Sequence, residues 1–132
     1  MYAKLFDEWN IVKKTIDGTM HRPPFFKERD IWWRAFGVNV GSETCGKNMY
    51  FRRPVLIVKK MSRSSFVGVP LSSRFRDGSW YITFSHSDGI INTANLSQIR
   101  AIDYRRLDKK IGSIGTDTFR DGCIGLRKLL GL

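Results

Sequence analysis

The stretch "GKNMYFRRPVLIVKKM", residues 46–61, sets two arginines before a proline and follows them with an apolar run that ends in two lysines. The four apolar residues Val55 to Val58 predict a strand that is buried in the core. We expect this strand to fix Arg53 rigidly at its start and to expose Lys59 and Lys60 at its far end. The stretch therefore predicts a charged surface that a buried strand supports.

Short segments rich in aromatic and β-branched residues lie on both sides of this strand. They are "RDIWWRAF" (29–36), "SFVGVPL" (65–71), "SWYITF" (79–84) and "SQIRAID" (97–103), the last with Ile99 and Ile102 as apolar anchors. Short strands separated by Gly, Ser and Asn turns favour a compact antiparallel barrel over an alternating βαβ sheet. The neighbouring Trp32 and Trp33 should point to opposite faces of their strand.

The N-terminal segment "YAKLFDEWNIVKKTI" predicts an amphipathic helix over about residues 2–16. Leu5, Trp9, Val12 and Ile16 recur there at helical spacing. Its apolar side either covers the rest of the domain or meets a partner. Gly18 and the two prolines of "DGTMHRPPFF" then predict an extended linker.

Two further elements are predicted near the C-terminus. "YRRLDKKIGSIG" is compatible with a short helical turn that points Leu107 and Ile111 inward. "TDTFRDGCIGLRKLL" predicts a closing helix, for which Thr116 or Thr118 would serve as the N-cap.

The chain has 132 residues, which fits one domain, and its net charge of +11 favours polyanions such as nucleic acid or anionic lipid as partners. The charge is concentrated. Between Ile31 and Arg76 there are nine Lys and Arg residues against one acid, Glu43, a net charge of +8. A plain basic surface and a nucleic-acid interface both remain open on this evidence.

Several function classes lack their sequence signals. The chain has no run of about 18 apolar residues, and acids stand where a signal peptide would be apolar, so we expect a cytoplasmic protein without membrane contact. Cys45 and Cys123 lack metal-ligand spacing, which predicts no metal site. No P-loop, HExxH, GxSxG or dinucleotide motif occurs, and His21 and His86 are predicted to be loop histidines.

What remains is a basic strand and loop with one carboxylate and several hydroxyls, a set that suits phosphodiester chemistry. Three blocks resemble the MazF/PemK toxins of type II toxin–antitoxin systems. They are "IWWRAFGVNVGSETCGKNMYFRRPVLIVKK", "VGVPLSS" and "SQIRAIDYRRLDKKIG". The resemblance extends over about residues 27–132 and leaves the helix and linker of residues 1–26 outside it.

The resemblance implies an α+β, mainly β fold: an SH3-like antiparallel barrel with an extra N-terminal helix and a C-terminal helix. It also implies a homodimer that cleaves single-stranded RNA at short motifs through 2′-hydroxyl attack, without a metal ion or another cofactor. The expected second partner is a cognate antitoxin with an acidic, partly disordered tail, which suits a basic surface.

Carried over by position, the arginine before the proline is Arg53, expected to be the central catalytic residue, and its hydroxyl partner is Ser72. A guanidinium is a poor base near neutral pH, so electrostatic stabilisation is the role expected of Arg53. Glu43 either accepts the 2′-hydroxyl proton or orders its loop. The many cations around it favour ordering, because they weaken a carboxylate as a base.

Five polar residues are predicted RNA contacts, and each is also compatible with an ordinary turn or surface position: Asn39, Ser42, Lys47, Ser73 and Gln98. Gly41 and Gly46 would let the loop bend and gate the groove. Ser97 stands where relatives carry an acid, so an acid cannot act there. That change keeps a non-catalytic RNA-binding barrel open as an alternative, whereas the blocks do not fit the related CcdB proteins, which target DNA gyrase.

Overall fold

The computed structural model describes residues 4–20, 22–47, 51–74, 76–85 and 91–132. The predicted loop histidines, His21 and His86, lie outside these residues. The helices and strands are α1 Phe6–Asp17, β1 Asp30–Ala35, β2 Arg52–Lys60, β3 Ser65–Ser72, β4 Tyr81–Ser85, β5 Ile91–Asn95, β6 Arg100–Asp103, β7 Leu107–Ser113 and α2 Thr116–Leu130.

The strands form one antiparallel arrangement in the order β4-β5-β3-β2-β1-β7, and β6 also pairs with β3. β3 is the shared strand, because its first half pairs with β6 and its last two residues pair with β5. This confirms the predicted mainly β fold with a helix at each end. The barrel is not closed, since no pairing within the described residues joins β4 to β7.

The quoted stretch forms β2 as predicted, and the strand is buried on both faces. Val55 and Ile57 belong to one apolar cluster with Trp32 and Phe66, while Leu56 belongs to a second cluster that α2 covers through Leu126. Alternate residues of a strand point to opposite faces, so a continuous apolar run is what two-sided burial requires.

The N-terminal helix begins later than predicted, at Phe6, and residues 1–3 are not described. Trp9 is buried and packs with Ala35 and Phe51, with Val12 beside them. Leu5 was predicted to lie on the apolar face, but it precedes the first turn and is half exposed. The helix therefore covers the domain with its middle and last turns.

Two predictions near the C-terminus need correction. The segment "YRRLDKKIGSIG" forms a short 3₁₀ turn at Tyr104–Arg106, and Leu107 is buried and Ile111 packs against the second cluster as predicted, but the segment continues as the strand β7, which pairs with β1. Pairing with β1 provides hydrogen-bond partners for the backbone groups of β7. The resulting stabilisation outweighs the weak local preference for a helix. The residue before α2 is Gly115, and no side chain caps the helix, so neither Thr116 nor Thr118 is the N-cap.

The first half of "SQIRAID" also differs from the prediction. Leu96–Gln98 form a 3₁₀ turn that the side chain of Asn95 caps by accepting the N–H of Ser97, and only Arg100–Asp103 are strand. The tryptophan pair behaves as predicted: Trp32 is 8% exposed and Trp33 is 38% exposed. No helix within the described residues is long and apolar enough to span a membrane.

Candidate active site

Arg53 lies near the start of β2, beside the end of β3. The register that pairs Val55 with Pro70 brings the strand ends carrying Arg53 and Ser72 together. Both residues line one cavity of about 260 Å³, here called the Arg53 cavity. Its other lining residues are Ser42, Thr44, Pro70, Leu71, Arg76, Tyr81, Thr93 and Asn95.

Two backbone carbonyls hold the Arg53 guanidinium. Its Nε donates to the Cys45 oxygen at 2.9 Å, and Nη1 donates to the Leu71 oxygen at 3.3 Å. A guanidinium has five N–H donors, so these two bonds leave three for another acceptor. The side chain is thus oriented by the loop on one side and by β3 on the other.

Partial burial lowers the pKa of Arg53, the Cys45 thiol opposes that shift, and repulsion from Arg76 and Arg74 adds to it. The pKa of Lys47 is lowered by desolvation first and then by Arg53, Arg74 and Arg76. Arg74 and Arg76 thus repel both Lys47 and Arg53, and these four cations are here called the rim cluster. Such a group lowers its mutual repulsion by binding an anion.

The Ser72 hydroxyl accepts the backbone N–H of Arg74 at 3.2 Å. That bond uses a lone pair and leaves the hydroxyl hydrogen able to donate. Ser73 is exposed just past the end of β3 and, like Lys47, is not among the described residues that line the cavities.

Glu43 is not among the described residues that line the Arg53 cavity. It lines a neighbouring space of about 450 Å³, here called the Glu43 cavity, and the other lining residues are Phe36, Asn39, Thr44, Ser97, Gln98, Ile99 and Arg100. Glu43 Oε1 accepts the N–H of Val40 at 2.9 Å, while the Glu43 N–H donates to the Val40 oxygen at 3.1 Å. These bonds fit the loop-ordering role.

Thr44 separates the two cavities and lines both. Its N–H donates to Gln98 Oε1 at 3.1 Å, and its oxygen accepts Asn39 Nδ2 at 2.7 Å. Gly41 has a φ of 55°, and a Cβ at Gly46 would overlap the Phe51 carbonyl, so both glycines are needed for this path of the loop. Asn39, Ser42 and Gln98 therefore stand at or beside the site.

A family model described as the PemK-like, MazF-like toxin of type II toxin–antitoxin systems matches residues 27–130. The chain belongs to this family. A search of curated proteins finds no match.

Several solved structures share the fold. The MazF of Deinococcus radiodurans is 19% identical, with a TM-score of 0.67 over 86% of this chain and 100% of that one. An endoribonuclease in complex with its cognate antitoxin, from a Mycobacterial species, is 20% identical, with a TM-score of 0.63 over 82% and 97%. A MazE–MazF complex of D. radiodurans is 18% identical, with a TM-score of 0.62 over 86% and 99%.

In this MazF-like toxin, some cavity residues had no individual prediction. Arg76 was counted in the basic segment without being assigned to the site, and its signal was its place four residues after Ser72. Thr93 and Asn95 belong to β5, which was not predicted, so no signal in the sequence pointed to them. Ser97 donates its hydroxyl to Asn95 Oδ1 at 2.6 Å and lines the Glu43 cavity.

Arg34, also counted in the basic segment, does not belong to the charged surface. It is 0% exposed, its Nε donates to the Ala35 oxygen, and its guanidinium lies 3.6 Å from the centre of the Phe36 ring. Nη1 and Nη2 have no hydrogen-bond partner within the described residues. Burial lowers the pKa of Arg34 to about 8, with repulsion from Arg106 and Arg100 adding to it.

Proposed function

We propose that this MazF-like toxin is an endoribonuclease that cleaves single-stranded RNA at short sequence motifs and so inhibits translation. The observation that carries the proposal is the Arg53 cavity, which is lined both by Arg53, with three remaining guanidinium donors, and by Ser72. Donors fixed before the reaction begins stabilise developing charge without reorganisation.

In the proposed reaction, the ribose 2′-oxygen attacks the adjacent phosphorus and the bond from phosphorus to the 5′-oxygen breaks. The products are a cyclic phosphate and a 5′-hydroxyl: a base takes the 2′-hydroxyl proton, and the departing 5′-oxygen gains a proton. Arg53 and Ser72 donate to the phosphate oxygens, whose negative charge increases in the transition state. The charge that a metal would otherwise supply comes from the rim cluster, so we propose metal-independent cleavage.

RNA binding is assigned to the rim of the two cavities. The proposed contacts are the predicted Asn39, Ser42, Lys47, Ser73 and Gln98, joined by Arg74 and Arg76 of the rim cluster. The proposed natural inhibitor is an antitoxin with an acidic segment that covers the rim cluster by charge complementarity. We also propose that the toxin is a homodimer, with Trp33, 38% exposed on β1, as a candidate interface residue.

The test is incubation of the purified protein with a long single-stranded RNA in excess EDTA. We expect cleavage at a small number of sites, with cyclic phosphate ends, and its loss in Arg53→Ala. Arg63→Met is the control. Arg63 is exposed in the turn between β2 and β3, so this substitution removes one positive charge at a position away from the cavity. RNA binding without cleavage by the wild-type protein would instead support the non-catalytic alternative.

A further inference from the structure

The N-terminal helix α1 lies outside the segment that matches the family model, yet it packs on the loop that carries the candidate site. Trp9 is 5% exposed and its ring centre lies 5.6 Å from that of Phe51. The Phe51 carbonyl in turn accepts the N–H groups of Phe36 and Gly37, at 2.7 and 3.1 Å. Trp9 thus covers the point where the loop leaves β1 and returns to β2.

Gly37 shows how close this packing is. Its φ is 72°, and a Cβ built on it would overlap the Trp9 indole. Only glycine allows the backbone and the indole to approach this closely in that conformation. The first residue of the loop after Phe36 is therefore fitted to a side chain from α1.

Lys4, just before α1, contacts the loop further along. Its Nζ donates to the Asn39 oxygen at 2.5 Å and to the Gly41 oxygen at 3.2 Å. An ammonium group that donates to two carbonyls forms charge-assisted hydrogen bonds, which are stronger than neutral ones. Trp9 of the helix and Lys4 before it therefore hold the loop at Gly37, Asn39 and Gly41.

A continuous set of hydrogen bonds links these points to the guanidinium. The Asn39 N–H donates to Cys45 Sγ at 3.2 Å, and Asn39 Nδ2 donates to the Thr44 oxygen at 2.7 Å. The next carbonyl, that of Cys45, accepts Arg53 Nε. A shift of residues 37–45 would therefore move the acceptor that orients Arg53 and the Thr44 wall of its cavity.

We propose that Lys4 and Trp9 are positioning residues of the toxin: they hold residues 37–45 so that the Cys45 carbonyl keeps Arg53 aimed into its cavity. The inference rests on the proposed function for its effect on RNA cleavage, but its structural part can be tested without RNA. Small displacements of a catalytic group cost up to about 100-fold in rate.

The activity test uses Lys4→Met in the full chain, with Lys14→Met as the matched control. Lys14 is exposed on α1 and has no side-chain hydrogen bond or ion pair among the described residues, and each of the two variants loses one charge. We expect Lys4→Met to lower kcat by about 10- to 100-fold. Its affinity for RNA with a 2′-deoxy group at the cut site should stay the same, and Lys4→Arg should restore kcat.

Loop position is measured independently by the alkylation rate of Cys45, with Cys123 on α2 as the reference thiol in the same molecule. Lys4→Met and Trp9→Phe should raise the Cys45 rate several-fold relative to Cys123, and Lys14→Met should not. A thermal melt of each variant checks that the fold is retained.

The outcomes separate the two proposals. An unchanged Cys45 rate in folded Lys4→Met overturns the inference, as does a raised rate with normal kcat. A loss of RNA affinity alone also overturns it, because Lys4 would then contact RNA directly. A raised Cys45 rate in a protein whose wild type cleaves no RNA supports the holding of the loop and contradicts the proposed function.

Discussion

Substitution of Ser72 distinguishes a role in stabilising the transition state from a role in binding RNA. The Ser72 hydroxyl already accepts from the Arg74 N–H, which leaves its O–H hydrogen able to donate, and a phosphate oxygen is the proposed acceptor. We expect Ser72→Ala to lower kcat by about 100- to 1000-fold, the usual cost of removing one such donor, with little change in affinity. Single-turnover cleavage and binding to an uncleavable RNA measure the two quantities.

The matched variant is Ser72→Thr, which keeps the hydroxyl. It should retain most of the activity. A Ser72→Ala protein that binds RNA more weakly but cleaves at the normal rate would assign Ser72 to ground-state binding instead.

Arg34 is expected to lower the stability of the folded protein, because it is a buried cation. The charge pattern of the sequence did not indicate its burial. A buried cation is disfavoured unless it is paired, and the Phe36 ring replaces only part of its hydration. We expect Arg34→Met to raise the free energy of unfolding at pH 7 by about 1–4 kcal/mol. The urea midpoint measures this, and Arg63→Met on the surface should shift it little. A destabilised Arg34→Met would mean that the guanidinium has a compensating anionic partner.

The pH dependence of stability gives Arg34 a second signature. Because its folded-state pKa is lowered to about 8, the unfolded chain binds more protons than the folded chain between about pH 8 and the ordinary pKa of arginine. Stability should therefore rise with pH above about 8, while below that pH the folded chain carries the full cost. Urea midpoints at pH 7 and pH 10 should differ less in Arg34→Met than in the wild type.

At the scale of elements, two glycines of α2 allow the effects of side-chain packing and of backbone entropy on stability to be compared. A Cβ at Gly122 would contact nothing, whereas a Cβ at Gly125 would lie 2.9 Å from a Leu96 methyl and 3.3 Å from Ile82. We expect Gly122→Ala to stabilise the protein by about 0.5–1 kcal/mol. Gly125→Ala should gain less or destabilise, because the buried Leu96 must move. Equal gains in the thermal melts of both variants would show that α2 is packed more loosely than described.

Some strands were predicted from the sequence and others were not. The two groups differ in how apolar their own residues are. β2 is a run of Val, Leu and Ile, and β1 carries two tryptophans, so apolar residues alone predicted them. β5 reads "INTAN" and β7 reads "LDKKIGS", both with polar residues at most positions. Their pairing with β4, β3 and β1 stabilises them, and sequence periodicity does not record contacts between distant segments.

The candidate site shows the same division. Arg53 and Ser72 came from ordered motifs, and the strand register brings them to one cavity. Asn95 and Thr93 line that cavity from β5, and Lys4 reaches the loop from 35 and 37 positions away along the chain. Such contacts depend on the tertiary fold, so the sequence alone did not predict them.

Across the whole molecule, the structure divides the nine cations of the basic segment into four groups. Arg34 is buried, and Arg52 forms an ion pair with Asp108 at 2.7 Å. Lys59, Lys60 and Arg63 lie at the far end of β2, where Lys60 stacks over the Phe25 and Phe26 rings. Only the rim cluster of Lys47, Arg53, Arg74 and Arg76 is close to the Arg53 cavity. The net charge of +8 for the segment therefore overstates the positive charge close to the Arg53 cavity.

This division predicts how RNA binding responds to salt. Each phosphate contacted on a single strand contributes about 0.7 to the slope of log affinity against log salt, so three or four rim contacts give a slope of about 2–3 for each site. Binding to an uncleavable RNA is measured over a range of salt concentrations. The magnitude of the slope should fall by about 0.7 in Arg74→Met and in Arg76→Met, whereas it should be unchanged in Lys59→Met. If Lys59→Met lowers the slope as much as Arg74→Met does, the RNA runs along the whole of β2 and the binding surface is not confined to the rim cluster.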